Sequence, residues 1–221
     1  GTVTSGNTSN TNAVGVVTIV DNDATPTVTI NDVKGNEAEG TTTVLVSIDV
    51  VSSVDTVIDI VTTTGTAGTL DYTTTTITVT IPAGSLSVNV VIPITEDLID
   101  EPNETFNVEG TVTSGNTSNT NAVGVVTIVD NDATPTVIIN DVIVNEADGT
   151  ATVLVSIDVA SSVDTVIDIV TTYRTAATDD FQTITITVTS PAGRLRVHVV
   201  IPITEDLIDV PNETFNGEGT V

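Results

Sequence analysis

The sequence repeats itself, and the length of the repeat limits what the chain can be. GTVTSGNTSNTNAVGVVTIVDNDATPTV starts at Gly1 and again at Gly110, and GTV starts a third time at Gly219. The period is about 109 residues, and roughly 90 of those 109 positions agree between copies. A unit of that size is a whole domain rather than a solenoid turn, so the 221 residues read as a tandem array. The seam falls at DND-ATPTV, where a strand ends in acids and a Pro-containing connector follows. On that division residues 24–132 are one complete repeat. Residues 1–23 are the C-terminal part of a preceding repeat, and residues 133–221 a following repeat without its last strand. Chain ends that fall inside repeats, together with an opening Gly and no Met, point to a segment of a longer protein.

Within the complete repeat the apolar residues alternate with period two. Strands are expected over 27–32, 43–50, 56–62, 76–81, 86–94, 105–113 and 125–129. Val44, Val46, Ile48 and Val50 share one face of their strand, as do Ile77, Val79 and Ile81, then Leu86, Val88, Val90, Ile92 and Ile94, then Phe106, Val108 and Val112. No segment carries a 3.6-residue apolar period. Seven short strands with turn-rich joints predict an all-β fold, an antiparallel β-sandwich. Aromatics are only 2%, so the core must be built from Val and Ile.

Charge narrows the function. Thirty Asp and Glu stand against four Lys and Arg, a net charge of −26. Nucleic-acid binding needs a basic surface and is excluded in practice, and an anionic membrane surface is disfavoured for the same reason. No stretch is long and apolar enough to insert in a bilayer. Cysteine is absent, so neither disulfides nor thiolates can staple the fold.

The acids are not scattered. EDLIDEPNETF (96–106) holds five, and EDLIDVPNETF returns at 205–215. Glu37 lies in the loop after the first strand, and Asp71 precedes the fourth. Glu96, Asp97, Glu101 and Glu104 fill the loop between the fifth and sixth, and Asp130 and Asp132 end the seventh. Successive loops of an antiparallel sandwich alternate between its ends, and the parity puts all of these acids at one end. Such convergence is costly unless cations answer it. Oxygen donors on loops suit Ca2+, which takes six to eight oxygens in flexible geometry, better than Mg2+. Zinc and iron are disfavoured, since there is no Cys and the one His, His198, lies mid-strand. The plainer reading is a solvated charged end that keeps a sheet edge from sticking.

NEAEG, DY, ITEDLIDEPNETF and the terminal VTIVDND together resemble the Calx-beta domain, and the resemblance covers the whole repeat. That family, found in sodium–calcium exchangers and in long tandem arrays of bacterial surface adhesins, is an immunoglobulin-like sandwich. Its calcium-binding members hold Ca2+ at the end distal to the N-terminus. The resemblance implies metal ligands at Glu37, Asp71, Glu96, Asp97, Glu101, Glu104, Asp130 and Asp132, with the Ile99 carbonyl as a further donor. Asn131 replaces an acid of some members, which implies fewer ions. In the last copy Glu146, Asp180, Glu205, Asp206 and Glu213 match, but Val210 stands in place of Glu101 and the final acidic strand end is missing, implying a weaker site. The first segment keeps only Asp21 and Asp23.

Enzymatic readings fare poorly. Paired carboxylates can hydrolyse glycosides, but each repeat offers too few aromatics for a sugar platform, and the complete repeat has no His for nucleophilic catalysis. NTS at 7–9 and 116–118 and NET at 103–105 and 212–214 fit the N-glycosylation pattern, which a chain rich in Asn and Thr meets by chance. RLRVH (194–198) puts Arg194, Arg196 and His198 on one strand face, either as a plain polar face or as a lateral contact to an acidic neighbour. Near-identical sandwiches on short connectors fit a spacer whose partners are its neighbouring repeats, stiffened by Ca2+ at each seam. That implies an extracellular stalk in a bacterial cell-surface adhesin or a filament, with lateral self-association a further expectation. The alternatives are a calcium-sensing domain that regulates an attached transporter, and repeats that bind an adhesion target themselves.

Overall fold

The fold comes from a computed structural model, which describes residues 1–10 and 12–221. Residue 11, inside the first segment of the array, lies outside the described residues. Among the described residues the regular structure is all β apart from two single 3-10 turns, Glu37–Glu39 and Glu146–Asp148. The complete repeat contains β1 (Val28–Ile30), β2 (Val33–Asn36), β3 (Thr41–Ile48), β4 (Thr56–Thr64), β5 (Thr76–Ile81), β6 (Ser87–Pro93), β7 (Ile99–Asp100), β8 (Glu104–Ser114) and β9 (Asn121–Val129). One sheet runs β1-β3-β6 and the other β2-β9-β8-β4-β5.

The first expected strand, 27–32, is only β1 at its centre, and a further strand, β2, follows it at once in the other sheet. β1 pairs antiparallel with β3, whereas β2 pairs parallel with β9, one parallel edge in an otherwise antiparallel sandwich. Two side chains make the crossing possible. Asn31 Oδ1 accepts from the Leu45 N–H at 2.6 Å, and Asp32 Oδ1 accepts from the Val125 N–H at 2.8 Å. Each supplies an acceptor to a neighbouring strand where the backbone has turned away.

The inner faces supply Val44, Val46, Ile58, Ile60, Val90, Ile92, Val108 and Val126, all buried. Ile77 and Leu86 do not join them. Both are exposed, Ile77 near the start of β5 and Leu86 just before β6. Val50 likewise falls past the end of β3 and is only half-buried. Tyr72 and Phe106 stack in the core with ring centroids 4.0 Å apart, and in the following repeat Phe181 and Phe215 stack at 4.3 Å. These pairs give most of the aromatic packing in a core of aliphatics.

The following repeat contains β10 (Val137–Ile139), β11 (Thr150–Ile157), β12 (Ala160–Ser161), β13 (Thr165–Tyr173), β14 (Thr185–Ser190), β15 (Arg196–Pro202) and β16 (Phe215–Thr220). Its sheets run β10-β11-β15 and β14-β13-β16. Among the described residues no strand occupies the β9 position beside β16. The stretch that corresponds to β2, 142–145, is unpaired and exposed.

The two repeats touch through their own backbones. β7, from the acidic loop of the complete repeat, pairs parallel with β12 of the next: Ile99 faces Ala160 and Asp100 faces Ser161. The Ser162 N–H donates to the Asp100 carbonyl at 3.0 Å, and the Ser161 hydroxyl lies 3.2 Å from both that carbonyl and Asp100 Oδ2.

Candidate metal centre

Four local devices bring the acids together. The first is the 3-10 turn at Glu37. Asn36 caps it by accepting from the Ala38 N–H at 2.9 Å, and Gly40, at φ 66°, closes it with its N–H on the Glu37 carbonyl. That left-handed residue favours Gly. The turn holds Glu37 pointing inward, 4% exposed. The second is the bend before β5, where Asp71 Oδ2 accepts from the Gly68 N–H. The third is an Asx turn, with Asp97 Oδ1 accepting from the Ile99 N–H at 2.8 Å, which curls the loop 96–104 over the end of the sandwich. The fourth is the exit of β9, where Asp130 Oδ1 accepts from the Asp132 N–H at 3.3 Å.

Two carboxylate triads result. Glu37, Asp97 and Asp132 each offer an oxygen within 4.8 Å of the others, and so do Asp71, Glu101 and Glu104. Glu96 and Asp130 flank the first triad. Asn131 ties them in, accepting from the Ala38 N–H at 2.9 Å and donating to Glu96 Oε1 at 3.3 Å. Asn131 is thus tied into the cluster by two hydrogen bonds. Ile99 lies in β7 at the seam, where the carbonyl of Asp100, not that of Ile99, takes the Ser162 N–H. Asp100 was overlooked in the sequence because its role depends on the neighbouring repeat. The five acids of its loop gave no reason to separate it from the rest.

The electrostatics are those of crowded, half-desolvated anions. Burial, then the charges of Asp97, Asp130 and Glu96, push the Glu37 carboxyl up to about 7. Burial, then Asp71, push Glu104 up to about 7. Glu101 is raised by burial and by Asp71, Asp97 and Asp130, against which the Ser162 hydroxyl of the next repeat acts. Asp132 is raised by burial and by Asp130 and Glu96, and its Oδ2 is buried without a hydrogen-bond partner. An orphaned carboxylate oxygen beside two further carboxylates is a donor set suited to a hard cation, which would reverse each of these shifts.

The following repeat assembles only parts of this. Glu146 Oε1 accepts from the Asp206 N–H at 3.3 Å, and Glu205 lies beside Asp206 in the loop. Asp180 and Glu213 share a hydrogen bond that raises the Glu213 carboxyl. Val210 supplies no oxygen, and among the described residues neither triad is complete there. Asp21 and Asp23 of the first segment are exposed and, among the described residues, belong to no such cluster.

The Calx-beta domain model matches residues 21–141 and again 130–218. The chain belongs to the Calx-beta domain family. Solved structures similar to this Calx-beta pair include CBD12 from CALX1.2, at 15% identity over 87% of this chain and 79% of that one, TM-score 0.41. The calcium binding domain CBD12 of CALX1.1 matches at 16% over 76% and 71%, TM-score 0.41. The apo form of the Calx CBD1 domain matches at 17% over 48% and 99%, TM-score 0.40. No curated protein matched the chain.

Proposed function

We propose that these Calx-beta repeats are calcium-binding structural spacers in an extracellular bacterial stalk, an adhesin or surface filament, and that Ca2+ stiffens the seam between repeats. The observation that carries this reading is that both carboxylate triads draw on the loop that also pairs with the next repeat, through Asp97 in one and through Glu101 and Glu104 in the other. Glu37, Asp97 and Asp132 would hold one ion, with Glu96 and Asp130 beside them. Asp71, Glu101 and Glu104 would hold a second. A cation on Glu101 and its neighbours fixes the loop 96–104, and β7 of that loop is the strand that meets β12. Binding and seam rigidity are therefore linked through one segment. No catalytic arrangement is part of this reading. The role is mechanical, and extracellular modules of this kind work with weak sites, on the order of 10⁻⁴ to 10⁻³ M.

Thermal unfolding of the full chain in millimolar Ca2+, in Mg2+ and in chelator tests the binding. A ligand held only by the folded state raises the melting temperature. A rise with Ca2+ that Mg2+ does not reproduce is expected. Equal melting in all three conditions would leave the acids as a solvated end and the chain as a plain acidic spacer. Small-angle scattering with and without Ca2+ tests the stiffening. A narrower distribution of inter-repeat distances with the ion is the expected result.

A further inference from the structure

RLRVH (194–198) gathers the scarce positive charge of this chain. Two of its four Lys and Arg, Arg194 and Arg196, stand there with its one His, His198. The complete repeat has Ser85, Ser87 and Asn89 at the matching places. Arg196 and His198 belong to β15, and Arg194 lies just before it. All three are exposed while Val199 and Ile201 are buried, so the alternation puts the bases on the outer face of β10-β11-β15. Their cross-strand neighbours are uncharged: Ser156 lies opposite Arg196 and Leu154 opposite His198. The acid that follows β11, Asp158, already accepts the Thr136 N–H on its Oδ1 at 2.6 Å. Ile138 and Val200, 47% and 54% exposed, give the face an apolar margin, and Ile138 stands where the complete repeat has Thr29.

The other sheet carries the complement. On the outer face of β5-β4-β8, Asp59 lies opposite Thr111 and Val61 opposite Glu109, so the two acids are diagonal neighbours on adjacent strands. Diagonal partners are about 7–8 Å apart, and Arg194 and Arg196, two places apart along a strand, are about 7 Å apart. Both carboxylates are held in place. The Thr78 hydroxyl donates to Asp59 Oδ1 at 2.6 Å, and the Thr63 hydroxyl to Glu109 Oε1 at 2.7 Å. Val61 and Val123 flank Glu109 on the neighbouring strands and are 39% and 58% exposed. The following repeat holds the same pair, with Thr187 on Asp168 and Thr172 on Glu218.

We propose that the basic face of β10-β11-β15 docks side by side on this acidic face of a second copy of the chain, with Arg194 and Arg196 against the paired carboxylates and the exposed Val and Ile side chains closing around them. The planar fork of a guanidinium suits a carboxylate, and stacked sheets lie about 10 Å apart, a gap that side chains of this size fill. The two faces are different surfaces of the molecule. The contact is therefore heterologous, and copies add one beside another rather than closing as a symmetric pair. The net charge of −26 opposes association at a distance. At physiological salt that repulsion is screened within about 8 Å, whereas pairs in contact are screened much less. The contact uses neither carboxylate triad and needs no metal ion.

Sedimentation equilibrium of the full chain, in chelator at physiological salt and up to millimolar protein, tests the inference. The average mass is expected to rise with concentration above the 22.7 kDa of one chain. Arg194→Ser, Arg196→Ser and His198→Asn together install the residues that the complete repeat already carries at these places. That variant should melt like the parent and associate about tenfold more weakly or worse. Asp59→Asn, Glu109→Gln, Asp168→Asn and Glu218→Gln together make the sharper test. They remove negative charge and so lessen the general repulsion, yet they should weaken association as well. A parent chain that is monomeric throughout would overturn the proposal. So would a basic-face variant that associates like the parent, or an acidic-face variant that associates as well as the parent or better.

Discussion

The complete repeat and the one that follows it share nearly all of their sequence but not the strand β9, and the consequences reach both the core and the acids. With β9 in place, Phe106 and Val108 of β8 are fully buried; without it, the matching edge of β16 leaves Phe215 half-exposed. Glu37 is buried under the exit of β9, while Glu146, on an equally well-capped 3-10 turn, stays half-exposed. One strand therefore does two jobs. It seals the apolar interior, and it carries Asp130 and Asp132 over the loop that holds the other ligands.

The comparison is broken most severely in the core. Phe106→Ala should cost the complete repeat about 3–5 kcal/mol, because the side chain is fully buried and stacked on Tyr72. Phe215→Ala should cost clearly less, and denaturant unfolding of the two variants measures the gap. Next come the ligands. Asp71→Asn with Glu104→Gln should weaken Ca2+ binding tenfold or more, about 1.4 kcal/mol or above, read as a smaller calcium-dependent rise in melting temperature. Val210→Glu should sharpen the contrast in the other direction. It restores the third carboxylate beside Asp180 and Glu213, and calorimetric titration should show additional Ca2+ bound.

The pH dependence separates the repeats more gently, and its sign is opposite to the usual one for carboxylates. Glu37 and Glu104 titrate near 7 when folded, above their ordinary value of 4.5. The folded state thus holds protons that the unfolded state has released, and stability falls as pH rises from about 4.5 through about 7. In chelator, the complete repeat should melt on the order of 5 °C higher at pH 5 than at pH 8. In Ca2+ the order should reverse, because the ion needs the ionised acids. The smallest effect is at the seam. Ser161→Ala removes one hydroxyl from Asp100, about 1 kcal/mol, together with the acceptor of the Val163 N–H, and should broaden the inter-repeat distances seen by scattering while lowering the melting of the following repeat only slightly and leaving that of the complete repeat unchanged.

Much of this was legible in the sequence because it depends on local alternation. The positions of β3, β4, β5, β6, β8 and β9 follow from apolar residues at every second place, and loop parity was enough to send the acids to one end. What was not legible depends on contacts between distant residues. The break between β1 and β2 rests on Asn31 and Asp32 reaching backbone N–H groups on other strands. Ile77 and Leu86 continue a perfect alternation yet are exposed. The division of the acids into two triads, and the role of Asn131 in holding one of them, emerge only when four loops meet. β7 is invisible for a further reason: the matching residues Ile208 and Asp209 form no strand, so its identity as a strand comes from the repeat it touches.

The most direct measurement is a Ca2+ titration of the labelled full chain followed by backbone amide NMR. The account predicts that the amides of Glu37, Asp97 and Asp132, and those of Asp71, Glu101 and Glu104, shift and saturate at lower Ca2+ than those of Glu146, Asp180 and Glu213. Saturation of both repeats at the same concentration, or no saturable shift at the two triads, would contradict it.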